Sequence, residues 1–464
     1  MGARLFGTDG VRGIANAELT PELAFRLGEA AGHLLIERGS CDSHDPHGSR
    51  GRIVVGRDTR LSGAMLEAAL VAGITSCGVD ALLVGIIPTP AVAFLVRDLE
   101  ADGGVVISAS HNPPEYNGIK LFDRSGFKLS NDFEFEIERF CLADHRIGAP
   151  HRVKRPTGDR VGASHHIADA HERYIAHAVR TAECSLEGMR IALDCGHGAS
   201  ASTSADALRR LGAEVETINC DWNGTDINVD CGSTHLGAIS SLVAEGGFDL
   251  GIAHDGDADR VLAVDEFGNA VDGDQILAVC AERMNVAERL ANSTVVATVM
   301  SNLGFEAAMG NIGVSVERAK VGDRYVLEQM RTTGAVLGGE QSGHIIFLGH
   351  NSTGDGLVTA IQLACAVKFA SRPLSEAVKI MTPYPQVLVN VPVADTTALA
   401  ASRAISDAVA SVERLLGERG RVLVRASGTE SLVRVMVEAA EEQIAADACN
   451  CIAEVVFAEL GGTR

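Results

Sequence analysis

The chain has 464 residues, 46% of them apolar, with 50 glycines and a formal net charge of −21 at pH 7. That length exceeds one ordinary hydrophobic core and predicts roughly three to four domains. The acidic balance excludes broad nucleic-acid binding, which needs a basic surface, and no run of about 18 uncharged apolar residues offers a membrane span.

The N-terminus, MGARLFGTDGVRG, lacks the basic-then-apolar order of a signal peptide. It opens Met-Gly as a myristoylation signal does, but Phe6 stands where Ser or Thr is needed, so the expectation is a soluble, cytoplasmic protein. Within 6-FGTDGVRG-13, Arg12 lies among glycines and offers an anionic ligand local positive charge. Residues 40–52, SCDSHDPHGSRGR, read as a solvated loop whose two histidines reflect composition rather than a metal site. A first strand–helix–strand unit runs from 53-IVVGRDTR through a helix near 63–76 to 78-GVDALLVG.

The next strand, 104–109, runs straight into a polar break within 104-GVVISASHNPPEYNGIK-120. Asn112 and Pro113 suit a turn, since they supply local hydrogen bonds and a fixed φ. A turn requires neither His111 beside Ser110 nor Lys120 ten residues later. Residues 142–166, with several histidines among basic residues, read as an interdomain linker.

A second unit runs from 191-IALDCGHG through a helix near 201–211 to 212-GAEVETIN. It leads into 248-FDLGIAHDGDADRVLAVDEFG-268, where Asp255, Asp257 and Asp259 alternate between two apolar strands and Arg260 follows. Carboxylates at alternate positions converge from one side of an extended loop and repel one another unless a cation lies between them. A hard divalent ion with oxygen ligands is the simplest compensation, and Mg²⁺ suits a site that also handles phosphate. An EF-hand is excluded: Glu266 falls at its twelfth position, but Arg260 replaces the glycine at its sixth and strands flank the loop. A haloacid-dehalogenase-type phosphatase with Asp255 as nucleophile is an alternative. A merely solvated acidic turn is the bland one, although three spaced aspartates between buried strands are uncommon.

A third unit, from 295-VVATVMSN through 304–311 to 313-GVSVERAK, completes a weak internal repeat whose strand spacing shrinks from copy to copy. In 337-LGGEQSGHIIF-347, glycines permit close backbone approach, and Glu340, Gln341, Ser342 and His344 suit sugar hydroxyls. Pro383 and Pro385 then break the pattern, and 386-QVLVNVPV, a helix near 396–416, 421-RVLVRAS and 432-LVRVMVEA form a smaller α+β domain. There Arg425, Ser427, Gly428 and Thr429 make either a cradle for a dianionic phosphate or a hairpin turn with a surface arginine. The eleven cysteines are scattered, and Cys449 and Cys451 lack CxxC spacing, so reduced thiols are expected. The expected domains are 1–160, 161–262 and 263–375, three related α/β domains with mixed sheets, and 376–464, a C-terminal α+β domain.

Taken together, FGTDGVRG (6–13), ISASHNP with NGIK (107–120), DGDADR (255–260), VGDRYVLE (321–328), GGEQSGH (338–344) and RASGTE (425–430) resemble the α-D-phosphohexomutases, most closely the bacterial phosphoglucosamine mutases. The resemblance covers nearly the whole chain and implies four domains around a central cleft. It implies that Ser110, which directly precedes His-Asn-Pro, is a phosphoserine, and Ser108 is not. Asp255, Asp257 and Asp259 would hold one Mg²⁺ together with an oxygen of that phosphoserine. The implied reaction interconverts glucosamine 6-phosphate and glucosamine 1-phosphate through glucosamine 1,6-bisphosphate, feeding UDP-N-acetylglucosamine and peptidoglycan synthesis.

On the same resemblance Arg12, Lys120 and Arg260 neutralise the moving phosphoryl group, and His111, Lys120 or His344 handles the sugar proton. Glu340, Gln341, Ser342 and His344 would contact the sugar, and Arg425, Ser427, Gly428 and Thr429 its distal phosphate. Gln341 stands where mannose and glucose enzymes tend to carry Met, so it is expected to help read the 2-amino group. The family usually has proline where this chain has Ala426 and Ser431, which predicts a less preordered phosphate loop. The implied partners are small sugar phosphates; a homodimer is compatible with the resemblance, and no motif fixes the oligomeric state. A phosphomannomutase or phosphoglucomutase of the same family, and a non-catalytic sugar-phosphate sensor, are the remaining readings.

Overall fold

A computed structural model describes residues 5–7, 9–39, 50–143, 155–427 and 432–461. Gly428 and Thr429, and most of the 40–52 loop, lie outside the described residues. The chain divides into two compact units, residues 1–300 with 314–380, and residues 301–313 with 381–464.

The first unit holds three mixed sheets. In the first, the strand order is Val11–Ile14, Tyr116–Asp123, Gly103–Ile107, Arg52–Arg57, Asp80–Ile86, Ser164–His166. Every residue of Gly103–Ile107 is buried, as its uninterrupted GGVVI sequence requires of a strand covered on both faces. The second sheet runs Ala270–Val271, Val261–Asp265, Leu250–His254, Arg190–Asp194, Glu214–Ile218. The third runs Ser315–Ala319, Thr294–Thr298, Leu337–Gly339, Ile345–Phe347.

These sheets share one plan, which gives the weak sequence repeat its physical content. A central strand (Arg52–Arg57, Arg190–Asp194 or Thr294–Thr298) has a parallel partner on each side. One of those partners then pairs antiparallel with the next strand in the chain. The three hairpin connections so formed are residues 108–115, 255–260 and 340–344. The serine loop, the acidic triplet and the Glu340–His344 loop therefore occupy one topological position in three copies.

The second unit contains an antiparallel sheet, Gln386–Pro392, Leu432–Ala439, Gly420–Ala426. Helices Arg403–Leu416 and Glu442–Leu460 contribute Ile405, Val412, Ile452 and Val456 to a core with Val391, Val433, Val435 and Val437 from the sheet. The described cysteines are free thiols, and no single described helix is long and apolar enough to cross a membrane.

Several boundaries differ from the sequence expectation. The strand before Ser110 ends at Ile107. The expected helix 396–416 is a 3-10 turn, Thr396–Ala401, followed by a helix from Arg403, because the Ser402 hydroxyl accepts from Ile405 N and caps a new start. Ser164–His166 pairs with Asp80–Ile86, so part of the expected linker belongs to the first sheet beyond residue 160. The second sheet likewise extends past 262 to Val271, since the acidic loop joins two strands of one sheet and cannot end it.

Helices Pro21–Gly39 and Gly63–Ser76 meet backbone to backbone: a Cβ on Gly28 would lie 2.2 Å from Leu70 O, and one on Gly73 2.2 Å from Phe25 O. Gly73→Ala must push the helices apart and is expected to destabilise the protein by about 1–3 kcal/mol in denaturant unfolding; an unchanged midpoint would show that the contact is not tight.

Candidate active site

Ser110 follows its strand by three residues and sits in the left-handed region, φ 52°, a conformation that costs a residue with a Cβ about 1–2 kcal/mol. It is held there from both sides. Its N–H donates to Ser108 Oγ at 2.9 Å, and its carbonyl accepts from Arg60 Nη2 and Asn228 Nδ2, each at 2.9 Å. The hydroxyl is buried and donates to Asp255 Oδ2 at 2.5 Å, with Asp259 Oδ1 at 3.5 Å and His111 Nδ1 at 3.4 Å.

The triplet loop turns through Ala258, itself at φ 53°, and its three carboxylates, all buried, each offer an oxygen within 4.8 Å of the others. Asp255 Oδ1 accepts from Arg260 N at 3.1 Å. Asp257 Oδ2 accepts from Thr89 Oγ1 at 2.6 Å and Lys120 Nζ at 2.9 Å, whereas its Oδ1 is buried without any hydrogen-bond partner. Lys120 Nζ also lies 3.3 Å from Asp259 Oδ2 and 3.1 Å from Asp9 Oδ2.

This arrangement polarises the titrating groups. Burial, reinforced by Asp259 and Asp257, pushes Asp255 well above the ordinary carboxylate range. Burial also opposes ionisation of Asp259, but Lys120 and His344 outweigh it and hold Asp259 well below that range. Lys120 pays a large desolvation penalty, yet Asp257, Asp9 and Asp259 keep it a fixed ammonium with its pKa well above normal. Burial, with the guanidinium groups of Arg260 and Arg12 nearby, takes His111 down to about 4, so its ring is neutral at pH 7. His344 resists charging through burial but is raised by Asp259; Gly354 N–H donates to its Nε2 at 3.1 Å, turning Nδ1 toward Asp259 Oδ1 at 3.8 Å.

The arginines frame the same place. Arg12 Nη1 donates to Ala109 O at 3.2 Å and Asn112 Oδ1 at 3.0 Å, and Nη2 pairs with Asp9. Arg260 Nε is buried, has no hydrogen-bond partner and stands 3.9 Å from Asp259 Oδ1. Lys128 bridges Asp9 of the first sheet's domain and Asp323 of the third's.

The third loop docks on the second: Val261 N donates to Gly343 O at 3.1 Å, and a Cβ on Gly343 (φ 89°) would lie 2.2 Å from Val261 O. Glu340 Oε1 accepts from Gly322 N at 2.9 Å, and Ser342 is exposed. Gln341 Nε2 donates to Asp272 Oδ2 at 3.0 Å, so one of its two amide N–H groups is committed to the residue that caps helix Gly273–Val286. In the second unit, Arg425 lies in the strand Gly420–Ala426, and Ser427 N donates to Leu432 O at 2.9 Å.

Ser110, His111, Lys120, Arg12, Arg260, His344 and the triplet are thus brought together, with Glu340, Gln341 and Ser342 on the adjoining loop. Sequence reasoning missed Asp9, Asp58, Arg60, Thr89, Lys128 and Asn228. GRDTR (56–60) read as the end of a strand, and nothing local ties these residues to partners far along the chain. Chemically, a hard all-oxygen set with the orphaned Asp257 Oδ1 and the hydroxyl of Ser110 beside it fits a divalent cation such as Mg²⁺. The flanking strands exclude the EF-hand here too.

Models of the phosphoglucomutase/phosphomannomutase family match in sequence: alpha/beta/alpha domain I at residues 3–146, domain II at 170–268, domain III at 272–384 and the C-terminal domain at 388–455. A phosphoglucosamine mutase of Streptomyces griseus is 52% identical over 458 residues, 99% of this chain and 100% of that one. The solved structure of a putative phosphomannomutase from Thermus thermophilus is similar with a TM-score of 0.77 and 26% identity, covering 98% of this chain and 100% of that one. An Aspergillus fumigatus N-acetylphosphoglucosamine mutase, solved in complex with GlcNAc-6P and magnesium, shares the fold at a TM-score of 0.62 and 18% identity, covering 85% and 94%.

Lys120→Met leaves the buried carboxylates of Asp257 and Asp259 without their ammonium, whereas Asp9 keeps Lys128 and Arg12. The expected loss is about 3–5 kcal/mol of stability in denaturant unfolding; a loss below about 1 kcal/mol would mean the cluster does not need that charge.

Proposed function

The chain belongs to the phosphoglucomutase/phosphomannomutase family, and from that premise we propose that it interconverts glucosamine 6-phosphate and glucosamine 1-phosphate by way of a phosphoserine at Ser110. The observation that carries this reading is the Ser110 hydroxyl directed at Asp255 beside the orphaned oxygen of Asp257. Asp255, Asp257 and Asp259, with an oxygen of the Ser110 phosphate, would hold Mg²⁺, which when bound neutralises phosphate charge.

Phosphoryl transfer depends chiefly on alignment and on stabilising charge spread over the moving group. The phosphoryl group leaves Ser110 Oγ for the C1 hydroxyl of glucosamine 6-phosphate, whose proton passes to the Ser110 Oγ left behind, giving glucosamine 1,6-bisphosphate. After the bisphosphate turns over, Ser110 Oγ takes the phosphoryl group from the C6 oxygen and gives up its proton to that oxygen, and glucosamine 1-phosphate leaves. Lys120, Arg12 and Arg260 supply fixed positive charge to the transferring group. Neutral His111 is suited to accept the hydroxyl proton, whereas Lys120, held as an ammonium, acts as a donor. His344 orients Asp259 and the sugar loop. Glu340, Ser342 and the side-chain oxygen of Gln341 read the sugar, and Arg425, Ser427, Gly428 and Thr429 hold its distal phosphate. The product class is a cytoplasmic precursor of UDP-N-acetylglucosamine and peptidoglycan.

A coupled assay on the phosphorylated enzyme is expected to rank glucosamine phosphates above glucose and mannose phosphates; a preference for either of the latter overturns the substrate assignment. Ser110→Ala should lower turnover by about a thousandfold or more, and the wild-type phosphoenzyme should be acid-stable. A hydroxylamine-labile acyl phosphate would point instead to Asp255 as nucleophile. Asp257→Asn should weaken Mg²⁺ binding and turnover together by at least about tenfold, while Arg425→Ala mainly raises KM; equal effects of both variants on both parameters would contradict this division of roles.

A further inference from the structure

We propose that Asp58, Arg60, Ser108 and Asn228 form a positioning device that cages the backbone of Ser110 and thereby aims the phosphoryl group it carries, an inference that rests on the phosphoserine reading above. Arg60 is 1% exposed, one of the largest fully buried side chains in the protein. Its Nη2 donates to the carbonyls of Ser110 at 2.9 Å and Asn112 at 2.7 Å. Its Nη1 reaches the carbonyl of Tyr116 at 3.0 Å and that of Pro113. A guanidinium that fixes three carbonyls of one loop and the carbonyl that opens the next strand sets that loop's shape in a way an apolar side chain cannot.

The other side of Ser110 is fixed through the same assembly. Arg60 Nε pairs with Asp58 Oδ2 at 2.9 Å, and that oxygen also accepts from Ser108 Oγ at 2.7 Å. Ser108 Oγ in turn accepts from the N–H of Ser110 at 2.9 Å. Both main-chain polar groups of Ser110 therefore end on one buried network, which is what a non-glycine residue in the left-handed region needs if it is to stay there. Asn228 then joins the serine loop to the acidic loop. Its Nδ2 donates to Ser110 O at 2.9 Å and Asn112 O at 3.2 Å, and its Oδ1 accepts from Gly256 N at 2.9 Å.

None of the four hydrogen-bonds to Ser110 Oγ or to a carboxylate of the triplet, so their effect on transfer must pass through position. A buried network of this kind adds little net stability over well-packed apolar groups, but misplacing a reacting atom by about 1 Å costs on the order of a hundredfold in rate. Ser108 also gains a role: the first serine of Ser-Ala-Ser orients the second.

The test uses full-length enzyme phosphorylated at Ser110, carrying Arg60→Lys, which keeps the charge and loses the fork, or Ser108→Ala, which removes one oxygen; Ser108→Thr is the conservative control. Turnover, KM, Mg²⁺ affinity by calorimetry, the denaturant midpoint and the ³¹P resonance of the phosphoserine are measured for each. The expected result is a kcat lowered about a hundredfold in Arg60→Lys and at least about tenfold in Ser108→Ala. KM and Mg²⁺ affinity should stay within about twofold, the ³¹P line should shift or broaden, and Ser108→Thr should recover most of the loss. A kcat unchanged in both variants, or one that falls only in step with Mg²⁺ affinity or the unfolding midpoint, overturns the proposal. If wild-type enzyme shows no mutase turnover, the functional reading has failed, and the ³¹P line decides this one: identical lines in wild type and variants overturn it, displaced lines support it.

Discussion

Three aspartates buried beside one lysine ammonium set the terms for everything around them. Carboxylates this close repel one another strongly in a low-dielectric setting unless positive charge lies between them. Lys120 answers part of the charge, but it also faces Asp9, and it leaves Asp257 Oδ1 without a partner. The compensation is spread over the fold: Lys120 comes from a strand of the first sheet, the triplet from a hairpin of the second, and His344 from the third. The charge balance of the cluster therefore exists only when those three domains are assembled, and the electrostatics of the site and the docking of the domains are one problem.

The topology explains how such a cluster can be built from separate domains. In each sheet the functional loop joins a strand with a parallel neighbour to the antiparallel strand that follows it. One copy spends that hairpin on a serine in a left-handed turn, the next on three carboxylates, and the third on a glycine-rich loop packed against the exit of the second. Gly343 illustrates how tight the fit is, since any side chain there would collide with the main chain of Val261.

Residues whose chemistry is local could be read from the chain. The three aspartates at alternate positions pointed to a cation by their spacing, whereas Ser110 before His-Asn-Pro was singled out through the family resemblance. Arg60 could not be read this way: its carbonyl partners lie about fifty residues on, and Gly-Arg-Asp-Thr-Arg reads as the end of a strand. Asn228, which ties two loops, and Lys128, which links Asp9 to Asp323, were hidden for the same reason. Gln341 was legible as a polar loop residue, but not its commitment to Asp272, because helix capping by a distant segment leaves no trace in the loop's own sequence. The left-handed φ of Ser110 was equally invisible, since serine carries no preference for it. The three-copy plan was faintly visible in the repeated strand–helix–strand pattern. Its boundaries were not, because short edge strands such as Ser164–His166 and Ala270–Val271 carry too few residues to show a period.

The proposed function rests on one serine, Ser110, serving as both donor and acceptor of the phosphoryl group. It is tested most directly by loading Ser110 with radiolabelled phosphate and following a single turnover with unlabelled glucosamine 6-phosphate. The label is expected to move to the sugar's C1 phosphate while an unlabelled phosphate replaces it on Ser110. Label that stays on the protein throughout turnover, or that appears only as inorganic phosphate, would contradict it.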